Sequence, residues 1–216
     1  DFVGEPYYPQ YRVSLARTKI SLVIDNSYAV TDIQLGVANP TGNISTKSFT
    51  IRIPEGAMVS NLTMGLNGNT YYSFIIPKEA EKVVKQGPDK MAVFIKWHGS
   101  NSLEMSLRVP PLSYMKVNLR HETFLKRYLG EFSYNVPIAG INSYETIGEF
   151  LMIMDLYHKS GLDNFSVSGP IHNNNLVIGS NQAAGMVLSA NQTSLQDIKL
   201  LYTVGEPPLE GDVTVH

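Results

Sequence analysis

The chain has 216 residues, 43% of them hydrophobic and 10% aromatic, with a formal net charge of −2 and no cysteine. This composition excludes a disordered chain and fits one large β domain or two small ones. It also excludes disulfides and Cys-ligated zinc, gives no electrostatic footprint for nucleic acid, and contains no run of about 18 apolar residues that would predict a membrane span.

The first strands follow a Pro- and Tyr-rich segment over residues 1–11, which predicts an extended N-terminal arm. From there, apolar and polar residues alternate with the two-residue period of half-buried strands. Three strands are predicted, with inward-facing side chains at Ile20, Leu22, Ile24, Ile33, Leu35, Val37, Phe49, Ile51 and Ile53. Turn chemistry separates them, because Asp25-Asn26 favours an Asx turn and the segment 39–43, NPTGN, is typical of a loop.

The next two segments predict a hairpin and a helix. The strand containing Met64 leads into Asn67-Gly68, the preferred pair for a type I′ turn, and a return strand follows over residues 72–76. Residues 77–87, PKEAEKVVKQG, begin with Pro, end with Gly and carry several charges, which predicts one short helix.

The stretch 91–136 has the clearest alternation in the chain. The apolar side chains on one face of its strands are Leu103, Met105, Leu107, Val109, Met115, Val117, Leu119, Phe132, Tyr134 and Val136. Pro110-Pro111 and Leu129-Gly130 separate the strands, since proline cannot donate to a ladder and glycine favours turns.

Beyond residue 137 the pattern changes to shorter segments separated by Gly and Asn. The apolar run 149–157, EFLMIMDLY, predicts a buried strand, and shorter strands are predicted at 165–167, 176–178, 186–188, 198–204 and around Val213. We therefore predict an all-β fold. It comprises an antiparallel β-sandwich over residues 12–137, a second β-rich module over residues 138–216, and one short helix.

Several ordered motifs resemble one family. They are Ala29-Val30-Thr31 in an early strand, Asn39 at the end of that strand, Ile53-Pro54 followed by Ala57 and Val59, and Glu122, Leu125 and Gly130-Glu131-Phe132 after the long strand pair. In this order they resemble the VIT domain, the N-terminal module of inter-alpha-trypsin inhibitor heavy chains, over about residues 18–137. One departure is the segment 78–87, where the family has a longer helical segment.

The resemblance implies a secreted, extracellular, multidomain parent of which this chain is the N-terminal part. A von Willebrand type A domain with its metal site would follow residue 216, so no metal ligand or cofactor is assigned to any residue of this chain. The expected partners are that type A domain or other polypeptide of the same parent. Matrix components such as hyaluronan would bind through parts of the parent outside this chain.

Four N-x-[ST] sequons support the same location. They lie at Asn43, Asn61, Asn164 and Asn191, each near a predicted turn or strand edge, and predict a glycoprotein with exposed acceptor sites.

No catalytic constellation is visible. His121-Glu122 begins like a zincin motif, but Leu125 stands at the position of the second His ligand. Asp25-Asn26-Ser27 resembles the start of a type A metal motif but has Ala29 where a Ser is needed. Trp97 could stack on a sugar, although a lone Trp on an apolar strand is more often part of a core. We therefore predict a non-enzymatic structural and interaction module, with a lectin-like carbohydrate-binding β-sandwich as the alternative.

Overall fold

The computed structural model describes residues 12–66, 69–73, 82–83, 92–98, 101–138, 141, 147–169, 176–192 and 196–205. Sixteen strands run through these residues. They are β1 Ser14–Asp25, β2 Tyr28–Asn39, β3 Ser45–Arg52, β4 Met58–Leu66, β5 Asn69–Ser73, β6 Lys82–Val83, β7 Ala92–His98, β8 Ser102–Val109, β9 Ser113–Phe124, β10 Arg127–Tyr128, β11 Glu131–Val136, β12 Ile147–Tyr157, β13 Leu162–Ser168, β14 Leu176–Ile178, β15 Gln182–Gln192 and β16 Ile198–Val204. The described part of the chain has no helix that could cross a membrane.

The strands form three sheets, which confirms the predicted all-β fold. An eight-stranded sheet has the order β14-β15-β12-β1-β2-β9-β4-β5, and two four-stranded sheets have the orders β10-β11-β16-β13 and β3-β8-β7-β6. Neighbouring strands pair antiparallel, except that β1 and β12 run parallel. A parallel pair needs a long crossover connection, and here the connection contains ten other strands.

Alternation of apolar and polar residues sets which face of each strand is buried. In β8 and β9, buried and more exposed side chains alternate as the sequence predicts, and Leu119 is 1% exposed. Apolar side chains from all three sheets form one core cluster, so the inner face of the eight-stranded sheet packs against both smaller sheets. On the opposite face of the large sheet, the end next to the β1–β2 turn is exposed, whereas Thr63 and Leu151 toward the other end are buried.

Two predicted local features fall partly outside the described residues. Residues 67–68 lie there, but Leu66 pairs with Asn69 across the gap, so the predicted β4–β5 hairpin is confirmed while its turn type stays a prediction. Most of the predicted helix over 77–87 also lies outside them. Its two described residues, Lys82–Val83, form strand β6, so the predicted helix is wrong at these two residues, where pairing with β7 supplies the backbone hydrogen bonds.

The sheets are continuous across the predicted module boundary at residue 137. Strand β12 from the C-terminal side pairs with β1, and β16 from the same side pairs with β11. Strand β16 also pairs with β13, so it is an interior strand of its sheet. The division into modules at 12–137 and 138–216 stays a prediction, while the hydrogen bonding joins the two segments in shared sheets.

Candidate functional site

The side of the eight-stranded sheet opposite the core, called the outer face below, carries a set of polar side chains that interact across strands. It consists of every second side chain over residues 17–25 of β1, 28–36 of β2, 116–124 of β9 and 149–157 of β12, with the matching positions of β4. The register aligns these strands into rows, for example Ile153, Ser21, Asp32 and Arg120.

The carboxylate of Glu122 is held in place at one end of the outer face. It accepts hydrogen bonds from the hydroxyls of Ser60 and Tyr28, and these bonds lower the pKa of Glu122. The same contact raises the pKa of Tyr28, because the neighbouring carboxylate disfavours a phenolate. The Tyr28 ring also packs on Phe124 at a centroid distance of 4.9 Å. The result is an aromatic and acidic end of the face.

The middle of the outer face is organised by side-chain pairs across strands. Arg120 donates two hydrogen bonds to Asp32, at 2.8 and 2.9 Å, and this ion pair raises the pKa of the guanidinium. Beside it, Gln34 donates to the Asn118 side-chain oxygen at 2.8 Å, and Asn118 donates to the Thr63 hydroxyl at 3.0 Å. Such cross-strand pairs fix the orientation of the side chains that a partner would meet.

The two residues of the incomplete zincin motif lie on opposite sides of the sheet. His121 points into the core and is 0% exposed, whereas Glu122 points to the outer face. Successive residues of a strand face opposite ways, so the pair cannot act together on one metal or substrate. Among the described residues, no group of three or more His, Asp or Glu side chains is placed to hold a metal ion.

The segment Asp25-Asn26-Ser27 and the side chain of Trp97 both have structural roles in the fold. Asn26 forms the turn between β1 and β2 at a φ of 55°, and its backbone carbonyl accepts a hydrogen bond from the Tyr202 hydroxyl at 2.7 Å. This confirms the predicted turn. Trp97 is partly buried and packs against the core, as the core interpretation of this residue requires.

Burial of His121 predicts an acid-sensitive fold. Neither ring nitrogen has a hydrogen-bond partner among the residues that the structure describes, and desolvation lowers the pKa of His121 from 6.5 to about 4. The unfolded chain therefore binds more protons between these two values, so stability is fully present above pH 6.5 and falls as the pH drops toward 4. The loss is about 3 kcal/mol at pH 4.

Substitution of His121 isolates its contribution to the pH dependence of stability. We expect His121→Leu to match or exceed the wild-type stability at pH 7, because two unpaired nitrogens are removed, and to lose about 3 kcal/mol less than wild type between pH 7 and pH 4. Urea unfolding followed by circular dichroism at both pH values measures this difference. Parallel losses in the two proteins would show that His121 is already protonated or solvated in the fold.

The four sequons lie at separate places on the surface rather than in one site. Asn43 is exposed in the loop after β2, Asn61 is exposed on the outer face in β4, and Asn164 is exposed in edge strand β13. Asn191 is in β15, and its side chain lies outside the described part. The Asn164 amide donates to the Thr203 hydroxyl at 3.2 Å, and its neighbour Phe165 is partly buried against the core.

These positions predict an order of glycan occupancy. We expect Asn43 to be modified most completely, because its side chain projects from a loop that the glycosylation machinery can reach. Asn61 and Asn191 should be modified less completely and Asn164 least. Mass spectrometry of the native protein, with and without a glycosidase, measures occupancy at each position. An unmodified Asn43 beside an occupied Asn164 would contradict the order.

The sequence pattern does not identify the side chains that pair with each other across neighbouring strands. The sequence alone does not single out Asp32 and Arg120 or place Ser60 and Tyr28 around Glu122, because these pairings depend on a register that no local pattern specifies. The alternation of each strand nevertheless marks them as outward-facing, and that signal is present in the sequence.

Comparisons with known proteins give a consistent picture. The family model of the vault protein inter-alpha-trypsin (VIT) domain matches residues 15–121. Inter-alpha-trypsin inhibitor heavy chain H2 of Mesocricetus auratus is 26% identical over 132 residues, covering 59% of this chain and 14% of the relative. Heavy chain H3 of Homo sapiens is 23% identical over 172 residues, covering 76% of this chain and 19% of the relative. The chain thus spans less than a fifth of the length of these relatives.

One solved structure has a similar fold. It belongs to a Legionella pneumophila protein whose name assigns it nutrient binding, with a TM-score of 0.54 and 10% identity. The alignment covers 91% of this chain and 68% of that one. At this identity the likeness concerns the fold alone.

Proposed function

Because residues 15–121 are a VIT domain, related to that of inter-alpha-trypsin inhibitor heavy chains, we propose that this chain is a non-catalytic, extracellular structural and interaction module of a larger protein. The observation that carries the proposal is the match over residues 15–121. In this function the module supports a following type A domain and offers its sheet surfaces to protein or matrix partners. Hyaluronan would be bound by other parts of the parent.

The buried polar residues support a structural role. Thr31 and Tyr134 share a hydrogen bond of 2.5 Å between the large sheet and the β10-β11-β16-β13 sheet, and Asn39 ties three backbone segments together. Burial raises the pKa of Tyr134 to about 12, so its hydroxyl stays neutral at physiological pH. These side chains join parts of the fold and are not exposed to a substrate.

The test is to find the native polypeptide that contains this sequence. Antibodies against the chain should detect, in the extracellular fraction, a protein much longer than 216 residues whose sequence continues into a type A domain. Intact mass and peptide mapping would establish the length. Detection of only a free, intracellular chain of this size would contradict the proposal.

A glycan array separates this function from the lectin-like alternative. The chain should show no saturable binding to any glycan at about 100 μM, a concentration that reveals weak lectin sites. Saturable binding that is lost on substitution of outer-face aromatic residues such as Phe124 would favour the lectin-like function.

A further inference from the structure

The exposed end of the outer face carries a row of side chains in which two carboxylates flank two valines. The register aligns these residues on the adjacent strands β12, β1, β2 and β9, and they are Asp155, Val23, Val30 and Glu122. Strands lie about 4.8 Å apart, so this carboxylate row places its two acids about 14 Å from each other. Asp155 and Val23 are exposed and the other two side chains are half-buried, so a partner can reach the whole row.

The carboxylate of Glu122 is oriented by neutral donors rather than by a cation. The hydroxyls of Tyr28 and Ser60 each donate to one of its two oxygens. Arg120, two residues earlier on the same face, is ion-paired with both carboxylate oxygens of Asp32. A carboxylate offers about four acceptor positions, so two hydroxyls leave room for a donor from a partner. Because the group is already held in place, a partner that binds it loses little of the gain to ordering.

The negative charge of the row is not compensated within the described part of the outer face. Asp155 accepts a hydrogen bond from the neutral Gln182 amide at 3.0 Å. At this end of the sheet, the outer-face positions of the carboxylate row and of the next row toward the β1–β2 turn hold no Lys or Arg in the described strands. The exposed lysines Lys126 and Lys159 follow the last residues of β9 and β12 by two positions, beyond both rows. Uncompensated negative charge favours a cationic partner.

The row nearer to the β1–β2 turn adds aromatic surface and a third carboxylate. This aromatic row consists of Tyr157, Asp25, Tyr28 and Phe124. Phe124 is 74% exposed, and Met58, which pairs with the end of the carboxylate row, is 56% exposed. Aromatic faces attract guanidinium and ammonium groups, and exposed apolar side chains clustered on a flat sheet mark a contact with another protein. A partner therefore needs both positive charge and apolar surface.

From this pattern we infer that the two rows bind an extended segment of another protein, in which two cationic residues four positions apart flank an apolar residue. An extended chain rises about 3.4 Å per residue, so cations four positions apart are about 14 Å apart, which is the spacing of Asp155 and Glu122. The apolar residue midway between them then covers Val23 and Val30. The cation at Glu122 also meets the ring of Phe124, which favours arginine there, because a guanidinium both stacks and donates two hydrogen bonds.

This inference rests on the interaction role proposed above and names one surface and the chemistry of its partner. The two can fail separately. A chain that binds no such segment would lose this surface and keep the role of a module in a larger extracellular protein. Absence of that larger protein would remove the proposed function, whatever the isolated chain binds.

Titration of the chain with two synthetic peptides tests the inference. The matched peptide reads GRTVTRG and the control peptide reads GTVRRTG, both with acetylated and amidated ends, so they differ only in the spacing of the two arginines. By calorimetry at about 50 mM NaCl we expect a Kd of about 200 μM for the matched peptide and at least fivefold weaker binding of the control. About 500 mM NaCl should weaken the matched peptide several-fold, because charges are screened.

Substitutions of the carboxylates place the binding on this row. Glu122→Gln and Asp155→Asn should each raise the Kd of the matched peptide at least about threefold, and the two together at least about tenfold. Val23→Lys, which sets a cation in the middle of the row, should abolish binding. The matched controls Glu131→Gln and Asp163→Asn remove the same charges from exposed positions of the β10-β11-β16-β13 sheet and should leave the Kd unchanged. Unfolding midpoints check that every variant keeps the fold.

Four results would overturn the inference. The matched peptide could fail to bind at about 2 mM, well above the expected Kd. The two peptides could bind equally, which would show general attraction between charges. The double variant Glu122→Gln with Asp155→Asn could bind as tightly as the controls. Finally, a chain that sediments as a dimer and takes up no peptide would assign the face to a second copy.

Discussion

Leu119→Asp is expected to destabilise the fold by about 5 kcal/mol, a large part of the total stability of a typical domain. Leu119 is 1% exposed in β9, where it lies between Ile33 of β2 and Leu62 of β4 in the paired strands. The change removes a buried apolar side chain and places an unpaired carboxylate in its stead. Both effects destabilise the folded state, because the favourable burial of the leucine side chain is lost and a charge is removed from water without a partner.

The neighbouring residue supplies the matched control. Asn118 lies on the outer face, where its oxygen accepts from Gln34 and its amide donates to Thr63. An aspartate can accept from both, since the Thr63 hydroxyl can turn to donate, so Asn118→Asp should cost less than about 1 kcal/mol. Thermal melts and urea titrations of the two variants measure the difference. Equal destabilisation would mean that the facing of β9 is reversed.

Alternation made most of this strand pattern predictable from the sequence. The apolar positions of β8, β9, β11 and β16 are buried as predicted, because a two-residue period leaves only one way to face a core. The turn at Asp25-Asn26 and the hairpin around residues 67–68 were predicted from turn chemistry, which also acts locally.

Pairing between distant strands was not predictable in the same way. The parallel pair of β1 and β12 joins residues more than a hundred positions apart, such as Arg17 and Glu149, which form an ion pair at 2.6 Å. No local period encodes such a partner. The segment around Lys82–Val83 shows the same limit, because its charges and terminal Gly favour a helix while pairing with β7 makes these two residues a strand.

The distribution of charge on the outer face depends both on the alternation within each strand and on the register between strands. The sequence places Asp25, Lys116 and Glu122 on outward positions of their strands, but only the register sets Asp25 near Glu122 at one end and Lys116 at the other. A shift of one strand by two residues would keep every facing and mix the charges. The candidate interaction face is therefore a property of strand pairing.

Asn39→Leu is expected to destabilise the fold by about 4 kcal/mol, because one buried side chain satisfies several backbone groups. Asn39 is 1% exposed, and its two amide hydrogens are shared among the carbonyls of Asn43, Val109 and Pro110 at 2.8, 3.1 and 2.9 Å. Its oxygen accepts from the backbone N–H and the hydroxyl of Thr41. Leucine would remove these bonds, and although the hydroxyls of Ser113 and Thr41 still donate to the carbonyls of Pro110 and Asn43, the Val109 carbonyl and the Thr41 N–H would lose these partners.

Two further variants decide whether the hydrogen bonds cause the loss. Asn43→Leu makes the same change four residues away, at an exposed residue whose hydrogen bonds are made by its backbone carbonyl and N–H, and should change stability by less than about 0.5 kcal/mol. Asn39→Asp retains the acceptor but turns a carboxylate toward three carbonyls, so at pH 7 it should destabilise at least as much as leucine. Its stability relative to wild type should improve at low pH, where a protonated acid can donate one bond. Urea titrations at pH 7 and pH 4 measure all three variants. If Asn39→Leu cost no more than Asn43→Leu, the loop and the β8–β9 connection would be held by packing alone.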